Sequence, residues 1–449
     1  MRKLFFYLIF SVFIVMPVNL VFAVDSQTLK HYIEEDFTKN LFHVYKHLHQ
    51  NPELSFQEKN TSSLLADHMR ELGFKVTGHV GGFGIVAVFE NGEGPTVMIR
   101  TDMDALPVTE KTGLPYASKV KAVEQDGRHV NVMHACGHDA HMTVWLGTAR
   151  RLMKLKDSWQ GTVVMIGQPA EERGAGSKAM LEDGLFERFK RPDYNLALHV
   201  NASLAAGKVR YVTGYAMANV DSVDIIIRGV GGHGAYPHTT KDPIVIGSQI
   251  VLALQTIISR EIAPIEPAVV TVGSFHAGTK HNVISDLAHL QLTVRSYSDE
   301  TRDYLMGAIQ RIARNTALAA GITEDSLPEV TIKNEYTPAL YNTPELAEHI
   351  AAVLREGLGN ENVLKGTPSM GGEDFSRYGR VEPRIPTFML WLGAVDSELI
   401  QSLSKNNKKL PSLHSAYFAP DPMPTITTGI YAMTLSVLSL LEKPATSDR

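Results

Sequence analysis

Cysteine is almost missing from this sequence, whose 449 residues include a single one, Cys136. A single thiol excludes any disulfide within the chain, and with it the small disulfide-stapled classes of protein. A basic block is missing too, because 43 lysines and arginines stand against 48 acids for a net charge of −5. That balance disfavours a nucleic-acid-binding scaffold. Aromatic residues are few, at 8%, but the apolar share of 44% is ordinary for globular proteins, which excludes collagen-like, coiled-coil and disordered chains.

The first 23 residues have the layout of a secretory signal peptide. Arg2 and Lys3 precede an apolar run, and the segment ends on Val21-Phe22-Ala23, a small-residue site of the kind a signal peptidase cuts. The alternative is an uncleaved membrane anchor, since the run approaches the roughly 18–20 residues that span a bilayer. Cleavage would remove two positive charges and change the net charge from −5 to −7. We therefore expect a periplasmic or secreted protein with no membrane span after cleavage.

The spacing of apolar residues predicts an α/β domain interrupted by an insertion. Over residues 24–208, helices alternate with short apolar strands, which is typical of a mostly parallel sheet covered on both faces. Residues 209–338 predict strand–helix–strand–strand–helix–strand, a ferredoxin-like α+β lid. The α/β pattern returns over residues 339–449. The first helix is expected to bury Leu29, Ile33, Phe37, Leu41, Val44 and Leu48.

Four polar clusters stand just beyond apolar strands of the predicted α/β domain. They are Arg100–Asp104 (RTDMD), His134–His141 (HACGHDAH), Glu171–Glu172 and His199. In open α/β sheets, sites form outside the carboxyl ends of strands, so the clusters are expected to meet in one crevice. A cysteine, histidines and carboxylates together suit a transition-metal site of mixed coordination. Neighbouring glutamates point in different directions from extended backbone, so one can bind metal while the other acts as a general base.

Other interpretations of most of these residues are less favourable. His134–His141 could be only a helix start capped by Asp139. For His199 taken alone, a structural role as a buried histidine is as favourable as metal binding. Cys136 could be the nucleophile of a thiol protease, but a base two residues away has awkward geometry. His43 and His47 lack the acidic residue of an HExxH protease. The glycine-rich run from Gly229 to Gly234 lacks the Lys-Ser/Thr of a nucleotide site.

At these clusters the sequence resembles the dinuclear-metal amidohydrolases. The family includes hippurate hydrolases, N-acyl-amino-acid aminoacylases and plant auxin–amino-acid conjugate hydrolases. The matching stretches are LHQNPELSFQE (Leu48–Glu58), RTDMDALPVTE (Arg100–Glu110), HACGHDAHM (His134–Met142), GQPAEERGAG (Gly167–Gly176), LALHV (Leu196–Val200), GGHGAYPH (Gly231–His238), HNVI (His281–Ile284), GGEDFS (Gly371–Ser376) and LHS (Leu413–Ser415). They follow the family order over nearly the whole chain after the signal peptide.

The resemblance implies two divalent ions per subunit, Mn²⁺ or Zn²⁺ first and Co²⁺ or Ni²⁺ as alternatives. The implied ligands are Cys136, His138, Glu172, His199 and His414. A thiolate at Cys136 that bridges both ions would explain an unpaired cysteine in an exported protein. The resemblance also makes Glu171 the general base, and Asp102 a residue that orients a ligand.

The remaining implied roles concern the lid, which in this family usually dimerises. His233 resembles the lid histidine that reaches a neighbouring active site and stabilises the oxyanion. Asn282 and Arg295 fall where relatives contact the substrate carboxylate, with Gly372 nearby. We therefore expect a homodimer that hydrolyses N-acyl-L-amino acids. The alternatives are a metallo-dipeptidase or carboxypeptidase, an N-acetyl-diaminopimelate-type deacetylase, or an inactive metal-bound binding protein.

Overall fold

The computed structural model describes residues 26–441, so the predicted signal peptide lies outside the described residues. The helices are α1 (Ser26–Asp36), α2 (Phe42–Gln50), α3 (Lys59–Glu71), α4 (His138–Lys154), α5 (Gly176–Glu182), α6 (Leu185–Arg188), α7 (Pro243–Thr256), α8 (Asp299–Ala319), α9 (Pro344–Leu358), α10 (Ser376–Gly379), α11 (Ser397–Lys405) and α12 (Pro422–Leu440). The strands are β1 (Lys75–Val80), β2 (Gly84–Asn91), β3 (Thr96–Asp102), β4 (Lys121–Val123), β5 (His129–Asn131), β6 (Gly161–Gln168), β7 (Tyr194–Ala205), β8 (Val209–Tyr211), β9 (Gly214–Met217), β10 (Asn219–Arg228), β11 (Gly232–His233), β12 (Val269–Ala277), β13 (Val283–Ile284), β14 (Leu287–Ser296), β15 (Glu329–Ile332), β16 (Leu340–Asn342), β17 (Val363–Lys365) and β18 (Thr387–Val395).

The first helix is continuous but contains a wide turn. A π-helical segment, Phe37–Leu41, joins α1 to α2. Its extra residue per turn suits an apolar spacing of four, which is longer than the 3.6 residues of an α-helix. The helix therefore buries Tyr45 instead of the predicted Val44, which is only partly buried.

A large sheet of eight strands forms the body of the molecule, in the order β1-β2-β6-β3-β7-β18-β8-β17. Its centre, β6-β3-β7-β18, is parallel, and β1 and β2 form an antiparallel hairpin at one edge. The side chains of β3, β6 and β18 are buried along their whole length because helices cover the sheet. In the main hydrophobic core, apolar side chains of α4 and α12 pack against one face of these strands. The predicted mostly parallel α/β domain is confirmed.

The insertion forms a separate four-stranded sheet, in the order β12-β14-β10-β15. All three neighbouring pairs are antiparallel, and α7 and α8 share an apolar core with the sheet. This is the βαββαβ topology predicted from the sequence. The predicted boundary at residue 209 is early, however, because β8 pairs with β17 and β18 of the large sheet. The domain limits otherwise stay a prediction.

The two segments that connect the sheets lie side by side, since β9 pairs with β16 in an antiparallel ribbon. Two helical stretches among residues 26–441, Pro243–Glu261 and Pro422–Leu440, are long and apolar enough to cross a membrane by length and composition alone. This pattern is weak evidence for a membrane span, because core helices of soluble proteins share it, so the expectation of no span after cleavage stays a prediction. The second stretch is mostly buried in the core of the large domain, whereas two thirds of the first is not buried.

Candidate metal centre

Cys136 occupies the middle of the site, directly before α4. Its Sγ lies 3.4 Å from Nε2 of His199 and 3.3 Å from Nε2 of His414. The next residue, Gly137, has a φ of 81°, and a Cβ there would lie 2.6 Å from Cγ2 of Val200. Only glycine combines this left-handed turn with such a close approach. Gly137 thus allows the chain to place Cys136 and the first residue of α4, His138, in one site.

The backbone fixes which nitrogen of each buried histidine faces the site. Nδ1 of His138 donates to the carbonyl of Asp104 at 2.8 Å, and Nδ1 of His199 donates to the carbonyl of Val200 at 2.8 Å. Because a carbonyl only accepts, a neutral ring in this orientation keeps its lone pair on Nε2 and can bind a cation there. No group among the described residues hydrogen-bonds to the buried Nε2 of His138. This arrangement presents neutral imidazoles as ligands.

The two glutamates follow β6 on a tight turn held by Asp104. The N–H groups of Glu171 and Glu172 donate to the two carboxylate oxygens of Asp104, at 3.0 and 3.1 Å. Oε1 of Glu172 lies 3.8 Å from Nε2 of His138 and is itself buried, with no hydrogen-bond partner within residues 26–441. Oε2 of Glu171 lies 3.9 Å from the same nitrogen. Both glutamates thus face the position that the histidine lone pair occupies.

The five predicted ligands meet in two groups that share the cysteine. Ligand atoms within 4.8 Å of one another are contributed by Cys136, His138 and His199 in one group, and by Cys136, Glu172 and His414 in the other. Sulfur, imidazole nitrogen and carboxylate oxygen together suit Zn²⁺, Mn²⁺ or a related transition metal. The two buried atoms without partners, Nε2 of His138 and Oε1 of Glu172, would be satisfied by a cation. The residues therefore fit a pair of metal ions.

The charge of the site also calls for cations. Burial raises the pKa of Glu172 to about 7 and that of Glu171 well above its usual range, with neighbouring carboxylates adding to both. Burial, together with the two glutamates, raises the pKa of the Cys136 thiol well above its usual range as well. Divalent ions reverse this effect, because they stabilise carboxylates and deprotonate a coordinating thiol. His414 differs from the other ligands, since more than half of its side chain is exposed.

Asp102 makes no hydrogen bond to a predicted ligand among the described residues. Its Oδ1 accepts from Nδ1 of His141 at 2.8 Å, and Nε2 of His141 accepts from the N–H of Val200 at 2.9 Å. Its Oδ2 accepts from Arg100 at 2.7 Å and lies 3.7 Å from Nε2 of His138. Asp102 therefore borders the metal position and supports β7 through His141, and its predicted orienting role stays a prediction.

The site opens into a cavity of about 890 Å³ between the large sheet and the insertion. The cavity wall includes the predicted Arg295 and Gly372 beside Cys136, Glu171 and His199. Arg295 is held by the carbonyl of Met370 at 3.3 Å and by Oγ1 of Thr293 at 3.0 Å. Among residues 26–441, no carboxylate forms an ion pair with Arg295.

His233 and Asn282 lie elsewhere in this chain. They sit on the exposed ribbon of β11 and β13, where the N–H of Gly234 donates to the carbonyl of Asn282 at 2.9 Å. Neither residue lines the cavity described above. One chain alone therefore does not bring these two predicted residues to the site.

The sequence profile of Peptidase family M20/M25/M40 matches residues 98–414, a stretch that contains the five candidate ligands and Glu171. The chain belongs to this family. The M20 enzyme is a metal-dependent amidohydrolase, as the resemblance implied. It is 37% identical to the hippurate hydrolase of Campylobacter jejuni over 83% of this chain and 93% of the relative. It is 36% identical to thermostable carboxypeptidase 2 of Saccharolobus solfataricus over 78% of this chain and 85% of the relative.

A solved structure supports the same assignment for the M20 enzyme. The crystal structure of the Bacillus subtilis YXEP protein, a dinuclear metal binding peptidase from the M20 family, has a TM-score of 0.72 and 29% identity. The matched region covers 90% of this chain and 99% of the chain of the solved structure. The binding of two metals in that relative agrees with the two ligand groups seen here.

The sequence did not reveal the buried ion pairs that support the metal centre of the M20 enzyme. Arg100, fully buried, donates to Asp102 and, at 2.9 and 3.2 Å, to Glu373 and Asp374. It thereby ties the end of β3 to the loop that lines the cavity. All three acids stand in stretches that carry the family resemblance (RTDMDALPVTE and GGEDFS), but a motif does not say which of its residues contact each other.

Proposed function

We propose that this enzyme hydrolyses the amide bond of N-acyl-L-amino acids, such as hippurate and N-acetyl amino acids, to a carboxylate and a free amino acid. The observation that carries the proposal is Arg295, a guanidinium that lines the same cavity as Glu171 and forms no ion pair with a carboxylate among residues 26–441. A guanidinium that is not neutralised by a carboxylate suits a substrate carboxylate, which it can bind through two hydrogen bonds. The α-carboxylate of the amino acid is the group we assign to it.

The chemistry follows from the position of the glutamates. Two divalent ions, held by Cys136, His138, Glu172, His199 and His414, would supply a water of lowered pKa and polarise the amide carbonyl. Glu171 lies beside these ligands and borders the cavity, so it can accept the proton of the attacking water. It then returns that proton to the nitrogen of the leaving amine. Arg295 holds the amino-acid part so that this nitrogen stays next to Glu171.

A second copy of the chain completes the site in this proposal. His233 stands exposed on the insertion, away from the cavity of its own chain, so we assign its oxyanion role to a neighbouring subunit, together with Asn282. The insertion has a surface for pairing, because β12 is an edge strand and α7 exposes Val245 and Leu252, the latter 72% exposed. Exposed apolar side chains of this size are typical of an interface. We propose a homodimer through this face, with the enzyme in the periplasm or secreted and with Mn²⁺ or Zn²⁺ as the native metal.

The test compares substrates and one variant on metal-loaded enzyme. We expect release of free amino acid from hippurate or N-acetyl amino acids, and a loss of at least about 10²-fold in kcat for Glu171→Gln with both ions retained. Glu187→Gln, which removes an exposed glutamate outside the site, is the matched control and should keep wild-type activity.

Each other outcome has a definite meaning. Turnover of dipeptides or N-acetyl-diaminopimelate alone would replace the proposed substrate with that of the alternative enzymes. Bound metal without turnover of any amide would indicate a binding protein. Unchanged turnover by Glu171→Gln would remove Glu171 as the base.

A further inference from the structure

The turn that carries Glu171 and Glu172 begins with a strained residue. Ala170 has a φ of 49° and a ψ of 43°, which lie in the left-handed region that residues other than glycine rarely adopt. Its side chain is fully buried at the end of β6. The conformation turns the chain sharply from the strand into the 3₁₀ turn Glu171–Arg173. A strained residue of this kind persists only when its surroundings hold it in place.

Glu58, which is distant in sequence, holds Ala170 in this conformation through a hydrogen bond. Its Oε1 accepts from the N–H of Ala170 at 2.8 Å and from the N–H of Phe56 at 2.9 Å. Phe56 is also left-handed, with a φ of 60°. One fully buried oxygen therefore holds two strained residues through hydrogen bonds. Glu58 and Ala170 are 112 residues apart in the sequence. The family resemblance includes Glu58 at the end of LHQNPELSFQE but gives it no role.

We propose that Glu58 is a positioning residue for catalysis. Through Oε1 it holds Ala170 in the left-handed conformation and thereby sets the direction in which the Glu171 carboxylate leaves the turn. The proposal rests on the function of Glu171 given above. Glu58 touches neither the cavity nor a ligand, so its effect on the reaction passes through the turn.

The contacts separate this role from metal binding. The N–H groups of Glu171 and Glu172 both donate to Asp104, at 3.0 and 3.1 Å, and Asp104 is fixed in turn by the hydroxyl of Ser55 at 2.6 Å. None of these bonds involves Glu58. Glu171 directly follows Ala170, so its direction depends on the Ala170 conformation more than that of Glu172, which lies one residue further along the turn. Loss of Glu58 is therefore expected to misplace the base while the metal ligands stay. Misplacement of a reacting group by about 1 Å costs on the order of 10²-fold in rate.

The contacts also show that Glu58 acts as an acceptor. Oε1 makes both hydrogen bonds, whereas the buried Oε2 has no hydrogen-bond partner in the part of the chain that the structure describes. Burial, with Asp104 nearby, raises the pKa of Glu58 to about 8, so much of this side chain is already neutral near pH 7. Glutamine keeps an oxygen in the place of Oε1 and should replace Glu58 well.

The experiment compares Glu58→Ala, Glu58→Gln and a control, Glu53→Ala, in the full-length enzyme with excess metal. Glu53 belongs to the same loop and also accepts from two backbone N–H groups. These are the N–H groups of Asn60 and Thr61 in the first turn of α3, not of the turn that carries Glu171. For Glu58→Ala we expect kcat to fall about 10–100-fold, KM to stay within about 3-fold, and both ions to be retained by elemental analysis. Glu58→Gln should stay within about 3-fold of wild type in kcat, as should Glu53→Ala.

Four results would overturn the proposal. The first is a wild-type kcat for Glu58→Ala, and the second is the loss of an ion from that variant, which would assign Glu58 to the metal site. The third is a loss of kcat in Glu53→Ala as large as that in Glu58→Ala. The fourth is a kcat of Glu58→Gln as low as that of Glu58→Ala, which would make the negative charge of Glu58 decisive. If Glu58→Ala does not fold, Glu58→Asp takes its place, because it keeps the charge but withdraws the acceptor by one methylene. A wild-type kcat for Glu58→Asp would then refute the role.

The result is independent of the substrate assignment. A wild-type enzyme that cleaves no N-acyl amino acid contradicts the proposed function, and the comparison is then run on whichever amide is cleaved. Normal wild-type turnover combined with an unaffected Glu58→Ala contradicts the positioning role alone.

Discussion

Gly137→Ala should destabilise the metal-binding domain by an amount that the structure divides into two parts. The left-handed φ of 81° costs an alanine about 1–2 kcal/mol. The new Cβ would lie 2.6 Å from Cγ2 of Val200, and crowding of a packed core adds about 1–3 kcal/mol. The sum is a loss of about 2–5 kcal/mol. Because Cys136 and His138 flank the glycine, metal affinity should fall as well.

The chain provides a control for the first part. Gly127 has a φ of 85°, and a Cβ there meets nothing within 4 Å. Gly127→Ala should therefore show only the conformational cost, about 1–2 kcal/mol. A double-mutant cycle of Gly137→Ala with Val200→Ala isolates the steric part as a coupling energy of about 1–3 kcal/mol.

Tryptophan fluorescence during urea unfolding is a suitable assay. The three tryptophans of the chain are Trp145, Trp159 and Trp391. Trp145 and Trp391 belong to α4 and β18, Trp159 directly precedes β6, and Trp145 and Trp159 lie in the main core. The signal thus reports the large domain and not the insertion. Equal losses for Gly137→Ala and Gly127→Ala, or a coupling energy near zero, would refute the steric argument.

Two further predictions concern the thiol and the buried histidine of α2. Cys136→Ala should lower the metal content to one ion per chain or none, and two retained ions by elemental analysis would refute a shared thiolate. Although burial opposes it, Asp139 and Glu110 raise the pKa of His49 from 6.5 to about 10. A raised pKa adds stability that is fully present below about pH 6.5 and disappears as the pH rises towards 10. His49→Gln should flatten that decline in the urea midpoint, and an unchanged pH profile would contradict the ion pair.

The location of the candidate site could be predicted because polar clusters interrupt the apolar pattern of the α/β domain. The residues themselves pointed to Cys136, His138 and Glu172, which stand in polar clusters where core packing gives no reason for them, whereas the full set with His199 and His414 followed only from the family resemblance. Two details of the argument were still wrong. The His134–His141 cluster follows the short β4–β5 hairpin and not a strand of the large sheet, and His199 lies inside β7, which continues to Ala205.

The supporting residues could not be predicted, because their partners are distant in sequence. Nothing local distinguishes Glu58, which holds Ala170, from Glu53, which holds the start of α3. Arg100 reaches Glu373 across 273 residues. In the first helix, a pattern based on 3.6 residues per turn selects Val44, and only the π-helical turn brings Tyr45 to the core.

The scattered ligand set fixes the order in which the chain can mature during synthesis. His414 lies 278 residues after Cys136, and β18, which pairs with β7 in the middle of the large sheet, is among the last strands to leave the ribosome. A nascent chain that ends before β18 therefore lacks both a central strand and one of the five ligands. The insertion, whose strands and helices are contiguous, can fold earlier and shorten the loop that the sheet must close. The second group of ligands is therefore complete only after the segment that carries His414 has been made.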